Sequence, residues 1–208
     1  MSVSRSSLAR SRRWFLRTAL GGVGTAAVGS FPRAAWATSA VPPALLARAQ
    51  AALQQHAHLI EHRDVIAVAD FSLASSARRF HLVNLGDGSV GSHWVAHGRG
   101  SDPAHTGWLE RFSNEPHSYA TSAGAFRTAG MYLGAHGRSI RLEGLDATNS
   151  NAEPRGLVVH SAWYVSREMV GERGMLGRSE GCFAVSQESL EELLSRLGPG
   201  RLIYADRA

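Results

Sequence analysis

The sequence predicts a mainly β domain with one helix near each end. Short apolar or alternating runs recur from residue 64 to residue 206, separated by turns rich in Gly and Asn. Only two segments carry the 3.6-residue period of an amphipathic helix. No internal repeat, low-complexity tract or linker divides the region between them.

The first 37 residues stand apart. "SRRWFLRTALGGVGTAAVGSFPRAAWA" opens on adjacent Arg12 and Arg13, runs through a weakly apolar stretch and ends in Ala35-Trp36-Ala37. This pattern is that of a signal peptide with a small-x-small cleavage site, and the paired arginines point to the twin-arginine route. The apolar run falls short of the ~20 residues that span a bilayer. Cleavage is expected after Ala37, with Ala40 as the alternative, giving a periplasmic protein with no stable membrane insertion. The leader holds six arginines and no acidic residue. Taking those six from the 22 basic residues of the chain leaves 16 against 17 acidic ones, a net charge of −1. The high pI of the whole chain therefore belongs to the leader, and nucleic acid is dropped as a partner.

Within the exported part, residues 43–62 read as a helix, with Pro43 at its start and Leu46, Ala49, Leu53, Ala57 and Ile60 on one face. Strands are expected over 64–72, 78–85 and 89–98, the last two joined by the hairpin signal "GDG" at 86–88. Residues 99–122 read as a long irregular loop, a class of segment that often carries function. Further strands are expected over 124–134, 138–145 and 156–165. A second helix follows at 186–198, with Ser186 as N-cap, Glu188 in its first turn and Gly198-Pro199 as its stop. A strand over 201–206 ends the chain. The organisation is thus a leader (1–37), an N-terminal helical segment (38–63) and a domain (64–208), expected to act as a monomer.

Cys182, in "GRSEGCFAVS", is the only cysteine. An internal disulfide is impossible, and an exported protein with one thiol raises the question of its use. A cysteine acts as a nucleophile when a histidine, an arginine or backbone N–H groups favour its thiolate. Arg178 and Ser179 precede it, and Gly181 permits a tight turn beside it. His160 lies 22 residues upstream in "GLVVHSAWYV", where a polar residue within an apolar run needs a partner. On residues alone, the pair reads either as a catalytic dyad or as a buried cysteine and a satisfied core histidine.

Other signals compete. "HLIEH" (58–62) matches a zinc-binding pattern that sets His58 and His62 one helical turn apart. Their face opposes Ile60 and Leu53, so a solvated stripe is the alternative. Glu110 and Glu143 are acidic candidates for a third ligand, but none can be assigned, and no metal site or cofactor is expected. Trp94, Trp108 and Trp163 read as core residues ahead of glycan platforms.

"VVHSA" followed by "GRSEGC" resembles the signature of the L,D-transpeptidase catalytic domain, the YkuD-like fold. The run from "HGRGSDP" through "GAFRTAGMYLGAHGRSIRLEGLDATN" is similar to the murein-transpeptidase branch that carries "GRS-x-GC", so the resemblance spans roughly residues 64–206. It implies a β-sandwich or partly closed barrel with flanking helices. It also implies a cysteine L,D-transpeptidase acting on peptidoglycan stem peptides without a cofactor. Cys182 would form the acyl-enzyme and His160 would be its base, oriented by the Ser161 carbonyl. The N–H groups of Gly181 and Cys182 would line the oxyanion hole, and Ser179 matches the small hydroxyl residue three before the cysteine. Arg178, Ser179, His97, His136 and Arg127 are the expected substrate contacts; the alternatives are structural hydrogen bonding for the two histidines, the sheet surface for Arg127, a surface charge for Arg178 and an ordinary turn hydroxyl for Ser179. Two departures stand out: Glu180 replaces the usual histidine, and Ala184 replaces an Asn or Arg. An L,D-carboxypeptidase or amidase on the same site, or a silent cell-wall-binding module, are the alternatives.

Overall fold

The computed structural model describes residues 41–208; the expected signal peptide lies outside them. Eight strands close into a barrel: β1 (Val65–Asp70), β2 (Arg78–Asn84), β3 (Val90–Ala96), β4 (Gly124–Gly134), β5 (Gly137–Gly144), β6 (Val158–Ser161), β7 (Phe183–Val185) and β8 (Leu202–Asp206). Their order around the barrel is β1-β2-β3-β7-β6-β5-β4-β8. Two junctions are parallel, β1 with β8 and β6 with β7. The others are antiparallel. Closure pairs every strand on both sides, which removes the exposed edges an open sheet would leave.

Alternation along each strand sorts residues between the interior and the outer face. In β1, Val65, Ala67 and Ala69 join the interior core, while Ile66 and Val68 pack outward beneath α1 (Pro43–Gln55), against Leu45, Ala49 and Leu53. In β7, Phe183 and Val185 point inward. The Phe183 ring meets those of Phe126, Phe80 and Phe71 at centroid separations of 5.4, 6.1 and 6.1 Å. Truncating such a phenylalanine costs about 3–5 kcal/mol. The residue after the lone cysteine therefore anchors it, and Cys182 lies on the opposite side of the chain.

α3 (Gln187–Leu197) follows the expected helix closely. The Ser186 side chain accepts from Ser189 N, and Leu190, Leu193, Leu194 and Leu197 bury one stripe against the barrel interior. Among the described residues, no helix is long and apolar enough to cross a membrane.

Three elements depart from the sequence expectation. α1 ends at Gln55, seven residues short of the expected helix. Buried His56 meets Asp146 at 2.9 Å, and the N–H groups of Glu61 and His62 both donate to the Gly200 carbonyl at 3.0 Å, so the chain turns instead of coiling on. His58 and His62 are therefore not one helical turn apart, and the zinc pattern loses its geometric basis. Among the described residues, no group of three His, Cys, Asp or Glu is placed to hold a metal. β6 stops at Ser161 rather than Val165, where Ala162 and Val165 form a turn. α2 (Arg167–Arg173) then follows, capped by Ser166 and ended by Gly174 at φ 70°. It buries no residue fully, so it carries no apolar stripe to read.

Candidate active site

β6 and β7 run parallel, with Val159 opposite Phe183 and His160 opposite Ala184. Phe183 faces inward, so Cys182, one residue earlier, shares the outer face with Ala184 and hence with His160. Both side chains line a cavity of about 540 Å³. Its walls include His136, Tyr164, Arg178, Ser179 and Glu180, together with His117, Tyr119 and Arg155.

His160 is buried, and its Nδ1 meets the Ser161 carbonyl at 2.8 Å. A carbonyl only accepts, so Nδ1 carries the proton and Nε2 keeps its lone pair. Burial holds the imidazole below its ordinary pKa, partly offset by the Ser161 carbonyl and reinforced by His136. His160 is therefore neutral at physiological pH, the form a base requires. His136 is exposed and stacks on it at 4.3 Å between ring centroids. The Ser161 hydroxyl turns away, donating to Gln187 Oε1 at 2.7 Å.

The Cys182 thiol donates to the Gly156 carbonyl at 3.7 Å. Burial pushes its pKa up, and Glu180 adds to this. The backbone N–H groups of Val158 and Cys182 and the Arg155 cation act the other way. Glu180 is exposed and paired with Arg99 at 3.1 Å. The resting site thus holds a protonated thiol, turned to the Gly156 carbonyl, in the same cavity as a neutral imidazole.

The turn that presents Cys182 is held by Ser179. Its N–H donates to the His97 carbonyl at 2.9 Å, and its carbonyl accepts from Arg99 N at 2.7 Å. Its hydroxyl donates to the Cys182 carbonyl at 2.7 Å and accepts from Gly181 N at 3.2 Å. Gly181 sits at φ 115°, a region closed to side-chain-bearing residues. Its N–H, expected at the oxyanion, donates here to the Ser179 hydroxyl at 3.2 Å. Gly98 runs alongside: a Cβ there would lie 2.7 Å from Gly181 N.

Two expected substrate contacts lie elsewhere. Arg127, on β4, is bound to Glu143 at 2.6 Å and to Glu61 at 3.4 Å, away from the cavity. His97 is buried between Arg79, whose Nη2 donates to its Nδ1 at 2.7 Å, and the Asp102 carboxylate at 3.4 Å. Burial first, then Arg79, brings its pKa down to about 4. Arg79 itself is fully buried on the Leu73 and Val95 carbonyls. This neutral histidine ties β2 to the 99–122 loop. Arg178 lines the cavity, and its Nη1 is spent on the carbonyls of Asp102 and Pro103. Of the three tryptophans, Trp94 is half-buried, whereas Trp108 and Trp163 are 53% and 81% exposed rather than in the core. A core placement fails for these two because they sit on loops outside the barrel.

No sequence pattern singles out Arg155, Tyr164, His117 or Tyr119, although all four line the cavity. Arg155 hides in "EPRG", which reads as a turn. His117 and Tyr119 lie in the long 99–122 loop, at φ 61° and 54°, a backbone conformation rare for such residues and frequent at functional sites. The Tyr164 phenol is pushed up to about 12 by burial, Cys182 and Glu180, and stays protonated.

A family model of the L,D-transpeptidase catalytic domain matches residues 37–205. No curated protein matches the chain. Solved structures similar to it include an L,D-transpeptidase from Mycobacterium smegmatis, at 18% identity and a TM-score of 0.42, covering 69% of this chain and 58% of that one. An L,D-transpeptidase from Mycobacterium tuberculosis has 18% identity, the same two coverages and a TM-score of 0.44. The helical cell shape determining protein Pgp2 from Campylobacter jejuni has 10% identity and a TM-score of 0.46, with 80% of this chain and 57% of that one covered. The chain therefore spans less than two thirds of the length of these proteins.

Proposed function

The chain belongs to the L,D-transpeptidase catalytic domain family, and from that premise we propose that it is an exported cysteine acyltransferase that cross-links peptidoglycan stem peptides. One observation carries the reading. Cys182 and His160 share the outer face of adjacent parallel strands in one cavity, and the Ser161 carbonyl fixes the imidazole with Nε2 free.

The reaction then proceeds in two halves. His160 Nε2 takes the thiol proton as Cys182 Sγ attacks the carbonyl of the third stem residue, and the carbonyl electron pair moves to oxygen. Collapse breaks the C–N bond, and the terminal D-alanine leaves with the proton from His160. The thioester is then opened by the side-chain amine of a second stem, whose proton passes to His160 and on to the departing sulfur. The product is a 3–3 cross-link. Export is supported by the paired arginines and the Ala35-Trp36-Ala37 site of the leader.

Mass spectrometry of muropeptides tests this reading. Wild-type protein incubated with disaccharide tetrapeptides is expected to yield dimers lacking one D-alanine, and Cys182→Ala none. Cys182-dependent tripeptide alone would assign a carboxypeptidase. Binding without any Cys182-dependent product would favour the wall-binding module.

A further inference from the structure

We propose that Arg155 supplies the positive side of the oxyanion site, meeting the negative oxygen that forms when Cys182 attacks an acyl carbonyl. The proposal rests on the acyl-transfer reading above. In that step the thiol proton goes to His160, the S–C bond forms and the carbonyl pair moves to oxygen. A donor must stand ready for that charge, and the geometry leaves a gap. The Gly181 N–H is held by the Ser179 hydroxyl, whose own hydrogen is spent on the Cys182 carbonyl. The position two after the cysteine, polar in the related motif, is here buried Ala184. Of the N–H groups expected at the oxyanion, only that of Cys182 is left.

Arg155 stands next to this gap. A Cβ built on Gly181 would lie 3.2 Å from Arg155 Nη2, so the guanidinium packs directly on the nucleophile's turn. The side chain is fixed: Nη1 donates to the Ser113 carbonyl at 2.8 Å and the Ser122 hydroxyl at 2.7 Å, and Nη2 donates to the Ala120 carbonyl. Those bonds use three of its five N–H groups. Among the described residues no carboxylate pairs with it. Removing a cation from water without a counter-ion is costly, and this one is half-buried in a cavity wall. An anion formed transiently at Cys182 is the missing partner. Burial lowers the Arg155 pKa and raises that of the Cys182 thiol, and each group opposes the shift of the other.

The alternative is that Arg155 only staples the 113–122 loop. Three variants of the full chain separate the two roles, read by kcat and KM on a tetrapeptide donor and by the pH profile of Cys182 alkylation with iodoacetamide. Arg155→Met removes charge and staple together. It is expected to lower kcat by about 10²–10³-fold, the range for loss of one oxyanion donor, with KM little changed and alkylation moved to higher pH. Arg155→Lys keeps the charge and loses the forked bonds, and is expected to hold the wild-type alkylation profile and recover part of kcat. Ser122→Ala weakens the staple alone and is expected to stay near wild type. Three results would overturn the assignment: an Arg155→Met defect confined to KM, an unchanged alkylation profile in that variant, or a Ser122→Ala loss as large as that of Arg155→Met. Should Arg155→Met fail to fold, Arg155→Lys decides, because a shifted profile in it contradicts the proposal. Wild-type protein without Cys182-dependent product would overturn the acyl-transfer reading itself, a result distinct from active protein that is indifferent to Arg155.

Discussion

His160→Ala is expected to lower kcat by about 10²–10⁴-fold, the contribution of a positioned general base, in a protein that stays folded. The size follows from the resting state. Burial keeps the Cys182 thiol protonated, so the nucleophile exists only when a base removes its proton. In the proposed mechanism His160 is that base, since burial keeps it neutral and the Ser161 carbonyl directs its free lone pair. The sign of the pH dependence follows as well. Lowering pH through the depressed His160 pKa protonates the base, so the acid limb of kcat lies below the ordinary histidine range. In His160→Ala that limb disappears, and the residual rate climbs with pH as the thiolate forms unaided. A pH–rate profile of both proteins measures this, and a variant that keeps the wild-type acid limb would remove His160 from the mechanism.

The second large effect is expected at Gly181. A Cβ there would lie 2.8 Å from the Ala120 carbonyl oxygen and 2.9 Å from Leu157 Cδ2, at a backbone φ of 115°. The Ala120 oxygen cannot retreat freely, because it accepts from Arg155. Gly181→Ala must therefore shift the turn that presents the nucleophile, and small misplacements of reacting atoms are expensive. We expect kcat/KM to fall by about 100-fold or more and stability by roughly 1–3 kcal/mol, the cost of a strained backbone position. Steady-state kinetics and denaturant unfolding read the two separately. Activity within a few fold of wild type would mean that the turn tolerates another conformation.

How much of this the sequence carries depends on the range of the forces involved. β4 spans the expected 124–134, and the Ser186 cap and four buried leucines of α3 follow from spacing alone. Those are local patterns. The Cys182–His160 pair is legible because a polar residue in an apolar run and a lone thiol are both unusual, and the motif resemblance joins them. The end of α1 is not legible, since Gly200 and Asp146, which turn the chain there, are remote in sequence. Nor is β7, three residues long and defined only by its neighbours β3 and β6. His97 and Arg127 have residue types that suit a substrate site. Which side of the barrel they face, and which carboxylate claims them, depends on register and closure. Arg155 is the converse case: a site residue inside a segment whose composition reads as a turn.

Cys182 is proposed to carry the acyl group, and peptide mapping by mass spectrometry locates that group. Wild-type protein mixed with a tetrapeptide donor, quenched in acid and digested, is expected to show an adduct equal to the donor less D-alanine, mapped to the peptide that contains Cys182. Cys182→Ala is expected to show none. Adduct on another residue, or turnover that persists in Cys182→Ala, would remove Cys182 from the role of nucleophile.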